Sequence, residues 1–161
     1  MTLPTNLTEL QSDYAVFLPA LSSFYVNVTG KARHSAGSNN PSVLQERIPE
    51  CLGPAAINMD YLKPNPLWHY KWSLHSAGHS SLDIEKDLPR EMMYRERDRS
   101  NSFMLGDSGG FQIGKGKWPG DWKANSGCPA AQKKRDGVLR WMDKYMDYGM
   151  ILDVPAWLSR S

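Results

Sequence analysis

Cysteine is scarce in this chain of 161 residues: Cys51 and Cys128 are the only two. They form no Cys-x-x-Cys pair, which excludes a zinc ribbon and a dithiol redox motif. One disulfide is the most they could make, and two buried thiols fit better because nothing marks the chain for secretion. Long hydrophobic runs are missing too. Met1 to Asp13 lacks a positively charged region followed by an apolar one, so no signal peptide is expected. No segment approaches the roughly 20 apolar residues of a membrane span. The expectation is a cytoplasmic protein without membrane contact. Excess charge of one sign is also absent. A net charge of +2 is too small to imply nucleic acid by itself, so any basic footprint has to be local.

What is present reads as globular. Hydrophobic residues at 40% and charged residues at 22% argue against disorder. The length predicts one domain over 1–161, or a piece of one. Tyr14 to Leu18 is strand-like, and Pro19 should end it. Lys31 to Asn40 is a polar loop. Asn40-Pro41 predicts a helix start, with Val43, Leu44 and Ile48 on one face and Pro49 at its end. Trp68, Tyr70 and Trp72 alternate at period two, as on a half-buried strand. Ser80 to Arg99 is charged and helix-biased, interrupted by Pro89. The tetrapeptide His-Ser-Ala-Gly occurs at 34–37 and 75–78 without matching flanks and is read as chance.

The densest information lies in Phe103 to Gln112. An apolar strand, Phe103 to Gly106, runs into the turn Asp107-Ser108-Gly109-Gly110. Gly114 to Gly127 is a loop rich in lysine and tryptophan. Pro129 to Asp147 predicts a helix with Val138, Leu139, Met142, Tyr145 and Met146 as its apolar stripe, and Gly149 is placed to end it. Met150-Ile151-Leu152 is the next strand, ending at Asp153. This order makes a βαβ unit over 103–155 with two parallel strands. Both strands end in an aspartate, and ligands in α/β folds bind at the carboxyl ends of the strands. His75 and His79 have the spacing of a helical metal pair, but Gly78 between them and the lack of a carboxylate favour a structural role. No metal site is expected.

The turn resembles two unrelated enzymes. As Gly106-Asp107-Ser108-Gly109-Gly110 it is similar to the nucleophile loop of trypsin-like serine proteases. That resemblance implies Ser108 as nucleophile, but no histidine is followed by cysteine. Phe111 stands where those proteases place proline, and a helix follows where they need strands. As Asp107-Ser108-Gly109-Gly110-Phe111-Gln112 it resembles the signature hexapeptide of the tRNA-guanine transglycosylase superfamily. Met150 to Pro155 is similar to that family's next strand-end aspartate segment. Leu67-Trp68-His69-Tyr70 and Ser76-Ala77-Gly78-His79 look more similar to the phage and bacterial branch that inserts 7-deazaguanines into DNA.

The transglycosylase resemblance implies an α/β fold, the N-terminal part of a (β/α)8 TIM barrel. It implies exchange of guanine for a 7-deazaguanine base in DNA or tRNA. Asp107 would be the catalytic acid/base and a substrate contact. Ser108, Gly109, Gly110, Phe111 and Asp153 would complete the base site. Gly109 and Gly110 would leave N–H groups open to a purine carbonyl, and Asp153 would accept both donors of a guanine edge. Lys115, Lys117 and Trp118 would contact nucleic acid. Such a barrel typically needs about 250 residues. The family's covalent aspartate has no counterpart here, nor does its structural zinc site, so no cofactor is expected in this chain. The resemblance thus implies a fragment or first half of the enzyme, with a second chain as one way to complete the barrel. The alternative is a non-catalytic half-barrel that binds nucleic acid or a partner.

Overall fold

A computed structural model of the protein describes residues 16–23, 26, 60–64 and 69–152. Three strands form one sheet in the order β1-β2-β3. They are β1 (Trp72–Ser76), β2 (Phe103–Asp107) and β3 (Tyr148–Gly149). Both pairings are parallel. Trp72 lies opposite Phe103 and Ser76 opposite Asp107, while Leu105 faces Tyr148 and Gly106 faces Gly149. An isolated parallel bridge, Ala20 to Leu74, adds an extended segment beyond β1. Spatial order therefore follows chain order with no reversal.

Alternation along the strands separates two faces. Ser73, His75, Met104 and Gly106 are buried, and the residues between them are half-buried. The buried face carries the helices: α1 (Met92–Arg95), α2 (Gly110–Gly114) and α3 (Pro129–Tyr145). The main core joins Met104, Met93, Tyr94, Val138, Trp141 and Met146. Trp141 is fully enclosed and donates its indole N–H to the Tyr94 hydroxyl at 3.3 Å. Gly106 lets α3 approach this closely, because a Cβ there would stand 2.8 Å from Cγ of Met146.

Helix α3 begins at Pro129, as the sequence predicts, since proline at the first helical position loses no hydrogen bond. It ends earlier than expected. Met146 turns to extended geometry (φ −104°, ψ 157°), and Asp147 is drawn to the start of β2. There its carboxylate accepts from the Met104 N–H at 2.8 Å and from buried Arg97 at 2.7 Å, while Arg99 binds its other oxygen. The chain joins the sheet at once, so the third strand is Tyr148–Gly149 rather than Met150 to Leu152, and Gly149 lies in a strand instead of ending the helix. Of the expected stripe, Val138 and Met146 are buried and Met142 and Tyr145 half-buried, but Leu139 is 64% exposed.

Other expectations shift as well. Residues 16–19 form no strand, and pairing with β1 begins beyond Pro19: Leu74 donates to the Pro19 carbonyl and Leu21 donates to that of Leu74. The charged stretch from Ser80 to Arg99 yields only the 3-10 turn Pro89–Glu91 and the single turn of α1. Strand β1 starts where the aromatic alternation ends, at Trp72. Trp68, Cys51 and the expected helix after Asn40 lie outside the described residues.

Candidate functional site

The carboxyl ends of the strands collect the chemistry. Asp107 closes β2 on the half-buried face, opposite Ser76. Among the described residues no group donates a hydrogen bond or forms an ion pair with its carboxylate. Ser108 then turns inward and is 1% exposed. Gly109 is left-handed (φ 77°) and caps α2, a conformation that costs glycine nothing. A Cβ on Gly109 would also stand 2.7 Å from the Gly78 nitrogen and 3.0 Å from the Trp118 ring. The turn after β2 therefore rests on the turn after β1 backbone to backbone. Gly78 is needed in return, since its own Cβ would meet Cγ of Gln112 at 2.6 Å.

Neither the Gly109 nor the Gly110 N–H has an acceptor among the described residues. Beside them Phe111 projects 58% exposed, with Lys115 over its ring at 5.2 Å. The loop carrying Lys115 and Lys117 folds back through Lys117 N–H to the Gln112 carbonyl, leaving both lysine side chains exposed. Trp118 is half-buried against Gly109, and Lys134 covers it at 5.1 Å. Trp122 is buried, donates to the Pro119 carbonyl at 3.1 Å and lies under Arg135. The tryptophans thus brace the loop from within, and the cations occupy its outside.

Sequence reasoning placed Lys115, Lys117 and Trp118 here but missed Lys134 and Arg135. The run Lys133-Lys134-Arg135 was the available signal; its partners Trp118 and Trp122 lie across a loop. Asp153 is outside the described residues. Leu152, one position earlier, packs with Ile113 and Trp122 beside the same turn.

His75 and His79 do not share a helix. His75 is in β1, 2% exposed, and its Nδ1–H donates to the Leu21 carbonyl at 2.9 Å. His79 ends a 3-10 turn, Ala77–His79. Burial lowers the His75 pKa to about 4, with smaller opposing effects from the Leu21 carbonyl and Glu91. Its Nε2 has no partner among the described residues, so it makes no serine–histidine pair with Ser108. Cys128 is a half-buried free thiol ahead of α3. Backbone N–H groups of Ala131 and Asp121 lower its pKa.

Among the described residues no three His, Cys, Asp or Glu side chains stand together as metal ligands. Among them, too, no helix is long and apolar enough to cross a membrane. The observed class is a mixed α/β protein with a small parallel sheet and a carboxylate-glycine turn at its carboxyl end. Comparison with protein-family models, curated proteins and solved structures found no match.

Proposed function

We propose that this chain is the base-reading portion of a nucleic-acid guanine transglycosylase, built on the first strands of a (β/α)8 barrel. The observation that carries the reading is the position of Asp107. It ends the middle strand of a parallel sheet and is followed at once by open glycine N–H groups. Strand order supports the barrel: a sheet wound in one direction without reversal is what a barrel needs, whereas doubly wound sheets reverse.

In this reading Asp107 is the acid/base group, and the Gly109 and Gly110 N–H groups receive a purine carbonyl. Ser108, being buried, supports the turn from behind. Phe111 and Asp153 complete the base site. Lys115 and Lys117, with Trp118 held beneath, steer a DNA or tRNA backbone toward it. The base has to leave its stack to reach the pocket.

The bare sheet face favours a second reading. Trp72, Leu74, Phe103 and Leu105 are only half-buried, and Tyr148 is exposed. Such a face is closed by further strands, whether from a longer chain or from a second one. A non-catalytic half-barrel would need the same closure.

The test offers labelled guanine and a labelled 7-deazaguanine with tRNA and duplex DNA in parallel, scoring both base binding and exchange. Base binding lost in Asp107→Ala and kept in Ser108→Ala supports the proposal. Labelling of Ser108 by an active-serine reagent, or base binding indifferent to Asp107, overturns it.

A further inference from the structure

A cavity of about 450 Å³ lies on the helix-bearing side of β1, away from the face that carries Asp107. Its wall includes His75, Gly78, His79, Ser80, Arg90 and Glu91. Three features define what could occupy it. First, His75 offers a buried acceptor. Its Nδ1–H is committed to the Leu21 carbonyl, which fixes the tautomer and leaves the Nε2 lone pair unpartnered among the described residues. A buried acceptor left unmade costs about 1–3 kcal/mol, so a ligand that brings a donor gains more than an ordinary hydrogen bond.

Second, the charge at the wall is uneven. Glu91 is spent: it accepts from the Ser81 N–H and the Tyr94 hydroxyl and pairs with Arg95 at 2.7 Å. Arg90 is exposed, with no carboxylate partner among the described residues. The unbalanced charge is therefore positive, which favours an anion and disfavours an ammonium donor. Third, the size exceeds that of a bare anion and suits a small ligand.

We propose that this cavity binds a free sugar phosphate, with a sugar hydroxyl donating to Nε2 of His75 and the phosphate held by Arg90 at the mouth. His79, exposed beside it, lies within the same wall. The site is separate from the Asp107 turn and stands whether or not base exchange is observed.

The experiment uses the full chain labelled with 15N-histidine and probes it with ribose 5-phosphate, inorganic phosphate and a short ribo-oligonucleotide. Ribose 5-phosphate should move the His75 Nε2 resonance in the direction of a lone pair that has gained a hydrogen bond. Inorganic phosphate should leave that nitrogen unmoved. Arg90→Gln should weaken ribose 5-phosphate about tenfold, the scale of one charge-assisted contact, and preserve the Nε2 shift at saturation. This readout needs no change at His75, whose replacement disturbs the core. An unmoved Nε2 at saturating ribose 5-phosphate overturns the proposal. So does an equal response to phosphate alone, a response to the oligonucleotide only, or affinity indifferent to Arg90→Gln.

Discussion

Two aspartates bracket the middle strand, and they are used in opposite ways. Asp147 meets β2 at its beginning, where the Met104 N–H, Arg97 and Arg99 all bind it. Asp107 stands at the end of the same strand, half-buried, with no partner among the described residues. The same side chain is a staple at one end and an unspent acceptor at the other. Stability is therefore concentrated where α3 returns to the sheet, and reactive groups where the chain leaves it. This division is familiar in parallel α/β sheets, whose carboxyl ends carry ligands.

The largest effect should come from cutting the staple. Arg97 is 1% exposed, so Asp147→Ala leaves a buried guanidinium without its counter-charge. Removing one partner of such a pair typically costs about 3–5 kcal/mol. Urea unfolding at neutral pH should show that loss, and an Asp147→Ala midpoint equal to wild type would break the comparison.

Acid probes the same division by another route. His75 is held neutral, its pKa lowered from 6.5 to about 4 chiefly by burial. The unfolded chain takes up its proton first, so the contribution is complete above about 6.5 and is lost as pH falls toward 4. The scale is about 3 kcal/mol. Burial pushes the Asp147 carboxyl upward, but the Met104 N–H and Arg97 outweigh it and hold it low. Its contribution is present above the usual carboxylate range and fades only at lower pH. Unfolding midpoints between pH 7 and pH 4.5 should fall in wild type and flatten in His75→Phe.

The end of the strand was far more legible than its beginning. Phe103 to Asp107 reads as a strand because three apolar residues precede a glycine turn, and the close approach expected at Gly109 is a local property of backbone. The helix start at Pro129 is local for the same reason. What escaped depends on distant partners. The early end of α3 is set by Arg97 and Arg99, nearly fifty positions away in sequence, and periodicity holds no trace of that pull. Strand β1, Trp-Ser-Leu-His-Ser, lacks β-branched residues and owes its place to Phe103 and Ala20 on either side. Leu139 sits on the predicted stripe and still faces outward, because α3 is covered along a narrower strip than its apolar residues mark out.

A smaller effect is expected at the turn itself. Gly109→Ala would place a Cβ against the Gly78 nitrogen in a left-handed conformation. The backbone strain alone costs roughly 1–2 kcal/mol. The two turns would have to separate, so both thermal stability and base binding should drop, the latter even at temperatures where the protein stays folded. A variant with normal stability and normal base binding would show that the backbone crossing is dispensable.

The smallest effect on folding should accompany the largest effect on the proposed chemistry. Asp107→Asn keeps the shape of the side chain and removes its charge. With no partner lost among the described residues, stability should stay within about 0.5 kcal/mol of wild type, as for a substitution that breaks no buried network. The amide in that variant would still accept a hydrogen bond but could not take and return a proton. Guanine binding should therefore weaken and any exchange should cease. Asp147→Asn should do the reverse, lowering stability while leaving the affinity of the folded protein for guanine in place. If Asp107→Asn proved as destabilising as Asp147→Asn, Asp107 would be a second staple, and the case for a base site at the end of β2 would lose its footing.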